Sequence, residues 1–353
     1  RELLPDSEIL FIGALGKMEM ELVPREGYEI RGVPVSNLSR SLSVEGIRHN
    51  IKFVSDLIKS GPACRKIIEE FKPDVVIGTG GYVCYPVLHE AAKLGIPTVV
   101  HESNAEPGLT TRQLEKCVDK IMVGFAEARE NYKHPEKVVV TGTPVRLGFM
   151  RSDKSAARRA LGIAEDEPLV VSVWGSLGAT EMNKTVARMI ALAMDGAERP
   201  FRLVHSAGKR GIKSMTEYMS EELGLSDWKE AGFDVVDYIY DMPLLMAAAD
   251  IVLCRSGAST LAELTAIGKP AILVPSPNVV NNHQEKNARV LERGGGAVLL
   301  ESDAGADVML STINGLLSDK EKLTEMEEHM RDLAVENATD EITSIVLSLA
   351  SGE

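Results

Sequence analysis

Residues 251–263 read IVLCRSGASTLAE, an apolar run followed by small and polar residues that open a helical segment. The pattern predicts a buried strand (Ile251–Leu253), a turn and a helix. The N-terminus of such a helix offers free main-chain N–H groups and about half a positive charge to an anion. Glu263 lies one turn further on, on the same face as Ser259 and Thr260, where a carboxylate can accept hydrogen bonds from ribose hydroxyls. Ser259 and Thr260 can cap this helix and offer hydroxyl donors near its start. The competing interpretation is a solvated helix glutamate with a capping role.

Residues 169–179 repeat this arrangement with the sequence LVVSVWGSLGA. Alone, this stretch is as typical of an ordinary strand-to-helix turn as of a phosphate loop. Both loops follow strands of the same half of the chain. The carboxyl ends of parallel strands meet at one edge of a sheet, which is where open α/β sheets bind ligands. Together the two loops favour a nucleotide diphosphate site.

Polar residues follow a third strand of this half at residues 281–287, NNHQEKN. His283, Gln284 and Asn287 are uncharged donors and acceptors suited to sugar hydroxyls, unless they only cap a helix. Arg146 lies where the two halves join, and its guanidinium could reach a phosphate or form an ion pair between domains.

In the first half, Gly80 and Gly81 precede Tyr82 in a turn that permits close approach of a ligand or of the facing domain. His101 and Glu102 follow the strand 98–100. They suit proton transfer or substrate positioning, although a buried structural histidine is an alternative.

Short apolar runs alternate with helical segments over most of the chain, which predicts parallel sheets covered by helices on both faces. The expected fold is therefore α/β, with two Rossmann-like, doubly wound domains. We predict a first domain at residues 1–147, a link at 148–165, a second domain at 166–335 and a C-terminal helix at 336–353. The predicted strands are Glu8–Ile12, Asp74–Ile77, Thr98–Val100, Lys120–Val123, Val138–Val140, Leu169–Val173, Phe201–Val204, Phe233–Val236, Ile251–Leu253, Ala271–Val274 and Ala297–Leu300.

The formal net charge of −13 argues against non-specific binding to nucleic acid, which needs a basic surface. The four cysteines are widely spaced and are expected to be free thiols. No metal-binding motif is visible, so we expect neither a metal nor another cofactor.

These motifs, in this order and spacing, resemble the MurG family, the family 28 glycosyltransferases that transfer N-acetylglucosamine from UDP-GlcNAc to undecaprenyl-diphospho-muramoyl-pentapeptide. The resemblance covers nearly the whole chain. It is carried by residues 78–82 (GTGGY), 101–104 (HESN), 142–146 (GTPVR), 175–179 (GSLGA), 254–263 (CRSGASTLAE) and 283–287 (HQEKN).

The resemblance implies a GT-B fold, in which two Rossmann-like domains face each other across a cleft. The second domain would hold UDP-GlcNAc and the first, with Gly80, Gly81 and Tyr82, the acceptor. It also implies donor-site roles: Arg146 and Ser176 at the diphosphate, the main chain of Ile239 at the uracil, Ala258, Ser259, Thr260, Leu261 and Ala262 along the nucleotide, Glu263 at the ribose, Gln284 at the sugar and Asn104 near the reacting centre.

Three features depart from the family pattern. Trp174 occupies a position where glycine is usual, and Thr143 stands where asparagine is usual. The family's N-terminal glycine loop and its histidine do not occur in this sequence, and we expect a strand, that loop and a helix upstream of Arg1. His101 and Glu102 are then the remaining candidates for the base.

The expected reaction is a metal-independent, inverting transfer in peptidoglycan synthesis, at the cytoplasmic face of the bacterial membrane. Residues 40–72 carry seven basic and four acidic residues and an apolar stripe, which suits peripheral docking on anionic lipid; a helix packed on its own domain is the alternative. Two other functions remain open, a UDP-GlcNAc 2-epimerase-like isomerase and a non-catalytic nucleotide-sugar-binding subunit.

Overall fold

The computed structural model describes residues 3–36, 43, 59–150, 153–175, 179–196 and 201–352. The chain divides into two compact units. The first comprises Arg1–Ser103, Pro107–Thr141 and Asp340–Glu353, and the second comprises Asn104–Glu106 and Gly142–Thr339.

The first unit contains two parallel sheets. Strands β1 (Leu10–Ala14) and β2 (Glu29–Val33) form one, and helix α1 (Glu19–Arg25) connects them. The other has the order β3-β4-β5-β6, with β3 at Val76–Gly78, β4 at Thr98–Glu102, β5 at Lys120–Val123 and β6 at Val138–Val140. The remaining helices are α2 (helical at 59–71), α3 (Cys84–Lys93) and α4 (Leu109–Leu114). Two 3₁₀ turns follow at Ala126–Asn131 and Pro135–Lys137.

The second unit is built on one six-stranded parallel sheet. Its strands are β7 (Leu169–Val173), β8 (Arg202–Ser206), β9 (Phe233–Val236), β10 (Ile251–Cys254), β11 (Ala271–Leu273) and β12 (Ala297–Leu299). The spatial order is β12-β11-β10-β7-β8-β9, so the chain reverses direction across the sheet between β9 and β10. This reversal is the kind of switch point at which doubly wound sheets bind ligands.

Helices lie before, between and after these strands in the sequence. They are α5 (Leu147–Met150), α6 (Lys154–Leu161), α7 (Thr180–Met194), α8 (Ile212–Glu217, continued by a π-helical turn at Tyr218–Glu222), α9 (Met242–Ala248), α10 (Ala258–Ala266), α11 (His283–Arg293), α12 (Ala306–Ser318), α13 (Lys320–Asp332) and α14 (Ala338–Ser351). The core of the unit is a large apolar cluster of strand and helix side chains, among them Val170, Ile190, Phe201, Leu253 and Ile313.

The predicted parallel α/β fold is confirmed, with strand ends shifted by one or two residues. One strand of the described residues, β2, was not predicted. Its sequence is EIRGV, and the charged residues interrupt the apolar run by which a buried strand is recognised. Residues 148–165, predicted to be a link, contain the fully buried Arg158 of α6. Its guanidinium donates to the carbonyls of Ala248, Ala164, Glu165 and Glu167 and to the carboxylate of Asp250.

The four cysteines are free, as expected, and three of them are buried. The positively charged segment proposed for lipid docking, residues 40–72, falls largely outside the described residues. Its described part, Ser43 and residues 59–72, includes the Arg65–Glu69 and Lys66–Glu70 ion pairs on α2.

Candidate functional site

Three neighbouring strands of the second unit end at the same level. In the register of the sheet, Val173 of β7 pairs with Cys254 of β10, and Cys254 pairs with Leu273 of β11. The residues that follow these strands are therefore brought side by side, although about 80 residues separate the first two in the sequence. The loops that the sequence singled out leave the sheet at this common edge.

The loop after β10 leads directly into α10. Gly257 is the N-cap residue in an extended conformation, and no side chain caps the helix. The expectation that Ser259 and Thr260 cap it is therefore wrong, because both lie inside the first turn. Leu261 donates its N–H to the Gly257 carbonyl. The first-turn donors left for a ligand are those of Ala258, Ser259 and Thr260.

The side chains of α10 divide between the core and the solvent. Leu261 is fully buried in the core, Ala262 and Thr260 are half-buried and Ser259 is exposed. The carboxylate of Glu263 is mostly buried and lies 3.3 Å from the guanidinium of Arg146, which is largely exposed. Burial raises the pKa of Glu263 and Arg146 opposes that rise. The two residues assigned by resemblance to the ribose and to the diphosphate are thus neighbours.

Helix α11 supplies a second group of polar atoms. The side-chain carbonyl of Gln284 accepts the N–H of Ser276, 2.8 Å away in the loop after β11, which fixes the position of the amide. The main-chain carbonyl of Gln284 accepts the hydroxyl of the buried Ser256 at 2.7 Å. These bonds tie the loops after β10 and β11 to the start of α11.

Asn287, one turn further along α11, is fully buried. Its Oδ1 accepts the N–H of Ala105 at 2.9 Å, and its Nδ2 donates to Asn104 Oδ1 at 3.1 Å and to the Ser256 carbonyl at 3.3 Å. Asn287, considered above as a sugar ligand, therefore acts as an internal support. It attaches Asn104 to the same sheet edge.

Residue Ile239 lies beyond the end of β9, with its side chain buried. Asp241, two residues on, caps α9 by accepting the N–H of Leu244. Within the part of the chain that the structure describes, nothing hydrogen-bonds the main-chain N–H or carbonyl of Ile239. Both groups are thus available to read a base, as the resemblance implies.

The loop after β7 begins with the buried Trp174 and with Gly175, whose φ of 89° is a backbone conformation that favours glycine. Ser176, together with residues 177 and 178, lies outside the described residues. The predicted contact of Ser176 with the diphosphate stays a prediction.

In the first unit, the glycine turn after β3 is open. Gly80 and Gly81 both have positive φ angles, and a Cβ built on either would meet no atom within 4 Å. The Cys84 thiol donates to the Gly80 carbonyl at 2.6 Å and holds the turn against α3. Tyr82 is partly exposed beside it. This geometry suits an acceptor-side surface, and the role stays a prediction.

His101 and Glu102 are the last two residues of β4, and both are buried. The Glu102 carboxylate accepts the Gly108 N–H and the Thr111 hydroxyl, each at 2.9 Å, and so anchors the start of α4. His101 Nδ1 lies 3.3 Å from the Ser103 hydroxyl. The structure thus gives Glu102 a structural task, and the role of either residue as a base stays a prediction.

Among the described residues, no group of three or more His, Cys, Asp or Glu side chains is placed to hold a metal ion. In the same residues, no helix is both long enough and apolar enough to cross a membrane.

Two domain models of one sequence family match the chain. The Glycosyltransferase family 28 N-terminal domain matches residues 3–123, and the Glycosyltransferase family 28 C-terminal domain matches residues 169–342. A crystal structure of Acinetobacter baumannii MurG superposes with a TM-score of 0.75 at 24% identity, over 97% of this chain and 91% of that one. UDP-GlcNAc 2-epimerase from Neisseria meningitidis superposes with a TM-score of 0.59 at 13% identity, over 97% of this chain and the whole of that one. The fold and the two family 28 domain matches together are those of a GT-B glycosyltransferase.

Sequence similarity narrows this class. A UDP-N-acetylglucosamine--N-acetylmuramyl-(pentapeptide) pyrophosphoryl-undecaprenol N-acetylglucosamine transferase of Acetivibrio thermocellus is 43% identical over 97% of this chain and 90% of its own. A protein of the same name from Caldanaerobacter subterraneus is 41% identical over 98% of this chain and 92% of its own. The chain belongs to this family, the MurG family of glycosyltransferases.

Proposed function

We propose that this chain transfers N-acetylglucosamine from UDP-GlcNAc to the 4-hydroxyl of the muramoyl sugar of undecaprenyl-diphospho-muramoyl-pentapeptide, converting lipid I to lipid II. The observation that carries the proposal is the common edge of β7, β10 and β11, where a helix N-terminus and polar side chains converge. Family membership supplies the identity of donor and acceptor.

The donor half of the site follows from the second unit. The N–H groups at the start of α10, together with Arg146 and Ser176, would bind the diphosphate, since a helix N-terminus stabilises an anion. Glu263 would accept hydrogen bonds from the ribose, and the main-chain N–H and carbonyl of Ile239 would hydrogen-bond the uracil. The amide nitrogen of Gln284, whose carbonyl is already bonded to Ser276, would donate to the sugar. Asn104 would lie near the reacting centre.

The chemical step needs no covalent intermediate. The acceptor hydroxyl attacks the anomeric carbon, the bond from that carbon to the diphosphate oxygen breaks, and UDP leaves with its electron pair. Negative charge grows on the leaving diphosphate, where Arg146 and the α10 N-terminus would stabilise it. His101 or Glu102 is the proposed acceptor of the hydroxyl proton, and Gly80, Gly81 and Tyr82 the proposed acceptor-side surface.

Two assays test the transfer. Calorimetric titration with UDP tests the donor site alone, and incubation with UDP-GlcNAc and a lipid I analogue tests the whole reaction. The expected result is UDP binding followed by a disaccharide product. An N-acetylmannosamine nucleotide formed without acceptor would identify an isomerase instead. UDP binding with turnover only after a partner protein is added would identify a nucleotide-sugar-binding subunit.

Arg146 and the N-terminus of α10 supply the positive charge proposed for the leaving diphosphate, so we expect transfer to continue when EDTA is added. An activity that EDTA abolishes and Mg²⁺ restores would contradict this part of the proposal.

A lipid-linked acceptor requires the enzyme to reach a membrane surface. We infer peripheral association at the cytoplasmic face, carried by the excess of positive charge in residues 40–72. Co-sedimentation with vesicles should increase with the fraction of anionic lipid and decrease with added salt. Binding that ignores both variables would argue against electrostatic docking.

A further inference from the structure

The residues that follow β7, β10 and β11 form a connected cluster at the sheet edge where we propose that the diphosphate binds. Because Val173, Cys254 and Leu273 are paired in register, the next residues, Trp174, Arg255 and Val274, lie beside one another. Each begins a different loop of the site.

Arg255 joins the three loops. Its guanidinium lies 5.4 Å from the centre of the Trp174 ring, within the range of a cation–π contact. One edge of the same group donates to the carbonyls of Val274 and Pro275, both at 2.8 Å. The flat face and one edge of the guanidinium are therefore both in use, which holds it in one orientation.

The indole nitrogen of Trp174 belongs to a buried chain of side-chain hydrogen bonds. Its Nε1 lies 2.9 Å from the Ser172 hydroxyl, and that hydroxyl lies 2.9 Å from His205 Nδ1. His205 Nε2 lies 3.2 Å from Asn183 Oδ1, and Asn183 Nδ2 donates to the Ala207 carbonyl at 2.9 Å.

The two ends of the chain set the direction of these hydrogen bonds, since an indole N–H can only donate and the Asn183 amide nitrogen already donates to the Ala207 carbonyl. The Ser172 hydroxyl accepts from Trp174 and donates to His205 Nδ1, and the N–H at His205 Nε2 donates to Asn183 Oδ1. Burial lowers the pKa of His205 to about 3, which keeps the ring neutral and this direction fixed. Each polar group of this chain thus has a hydrogen-bond partner, which restricts the orientation of the indole.

We propose that Trp174 and Arg255 are positioning residues that set the distance between the Gly175 turn and the N-terminus of α10. This inference rests on the proposed UDP-sugar site and adds two positioning residues to it. The contact of the Arg255 guanidinium with the Trp174 ring, here called the Trp174–Arg255 stack, couples the Gly175 turn to Arg255. The fit of the diphosphate therefore depends on both side chains.

The first test is a double-mutant cycle on UDP binding. Trp174→Leu removes the ring and its donor, and Arg255→Met removes the guanidinium while keeping an apolar stem. Each is expected to raise the Kd of UDP roughly tenfold. The double variant should also be roughly tenfold weaker rather than a hundredfold, because both changes break one interaction. Trp174→Phe, which keeps an aromatic face, should recover part of the affinity.

The matched control is Trp228→Leu, since Trp228 packs against the same core without contacting Arg255. It should lower thermal stability and leave the Kd of UDP unchanged. Multiplicative effects of the two variants, or an equal loss of affinity in the control, would overturn the proposal. If the parent chain itself binds no UDP, the proposed function fails before the stack is tested.

The second test uses the fluorescence of the two tryptophans in the chain. UDP should change the emission of the parent and of Trp228→Phe, whereas Trp174→Phe should lose that change. Emission of Trp228→Phe that does not respond to UDP would show that ligand binding does not reach Trp174, the tryptophan that remains in this variant. In turnover, Trp174→Leu should raise the KM for UDP-GlcNAc and leave the KM for the acceptor unchanged.

Discussion

The guanidinium Nη2 of Arg146 lies 3.3 Å from the Oε1 of Glu263, although 117 residues separate them in the sequence. The carboxylate is mostly buried and the guanidinium is mostly exposed. Burial alone raises the pKa of Glu263, and the neighbouring positive charge counteracts this. Arg146 therefore favours the ionised form of a carboxylate whose proposed task is to accept hydrogen bonds.

Glu263→Gln tests that task, because it keeps the shape of the side chain and removes its charge. Hydrogen bonds to a charged acceptor contribute about 1.5–3 kcal/mol, so the affinity for UDP should fall roughly tenfold to a hundredfold. The affinity should be measured by calorimetry with UDP and with 2′,3′-dideoxy-UDP. Parent and variant should bind the dideoxy compound equally well. An equal loss for both nucleotides would mean that Glu263 does not contact the ribose.

Asn287 supports Asn104 without reaching a ligand itself, so its loss should affect chemistry more than donor binding. Asn287→Ala removes hydrogen bonds to Asn104, Ala105 and the Ser256 carbonyl. The kcat should fall by about tenfold or more because Asn104 loses its position, while the Kd of UDP changes little. Arg289→Ala, an exposed position on the same helix, is the control. A raised Kd with an unchanged kcat would place the effect of Asn287 in the donor site instead.

The strands of both units could be predicted closely, since a strand buried on both faces is apolar throughout. β5, β6, β7 and β9 have the predicted bounds. The strand that escaped, β2, carries Glu29 and Arg31 and is recognisable only from its pairing with β1.

The candidate site could be predicted at the level of loops but not of contacts. Glycines and polar residues after apolar runs mark the sheet edge, and this signal is local. The Trp174–Arg255 stack depends on β10 lying next to β7, a strand order that no local pattern encodes. In the sequence, Asn287 looks the same as an asparagine that binds a ligand, because both follow a strand among other polar residues. Only its burial shows that it acts inside the protein.

Arg158 stabilises the second unit from within the segment that resembled a link. Its guanidinium is 1% exposed and makes a 2.6 Å ion pair with Asp250 as well as several bonds to carbonyls. Breaking a buried pair by removing one partner costs about 3–5 kcal/mol. Arg158→Met should lower the free energy of unfolding by about 3 kcal/mol, near the bottom of that range, because Lys154 also pairs with Asp250.

The measurement is urea unfolding followed by tryptophan fluorescence, since Trp174 and Trp228 both lie in the second unit. Arg159→Met, at the exposed neighbouring position, should change the free energy of unfolding by less than about 0.5 kcal/mol. Equal changes in the free energy of unfolding for the two substitutions would mean that the buried contacts of Arg158 do not stabilise the second unit.

His205 should make the second unit sensitive to acid. In the folded protein burial lowers the pKa of His205 to about 3, whereas an unfolded histidine has a pKa of 6.5. Between these values the unfolded state binds a proton that the folded state does not, so stability falls as the pH falls. The contribution of neutral His205 to the free energy of unfolding is complete above pH 6.5, and it decreases by about 1.4 kcal/mol for each pH unit below that value.

His205→Gln has no proton to take up in either state. The stability advantage of the parent over this variant should therefore shrink by about 2 kcal/mol between pH 7.5 and pH 5. The measurement is the free energy of urea unfolding of both proteins across that range, again followed by tryptophan fluorescence. Curves that run parallel would mean that His205 exchanges its proton equally in the folded and unfolded chains. The buried chain from Trp174 to Asn183 would then not hold the ring neutral.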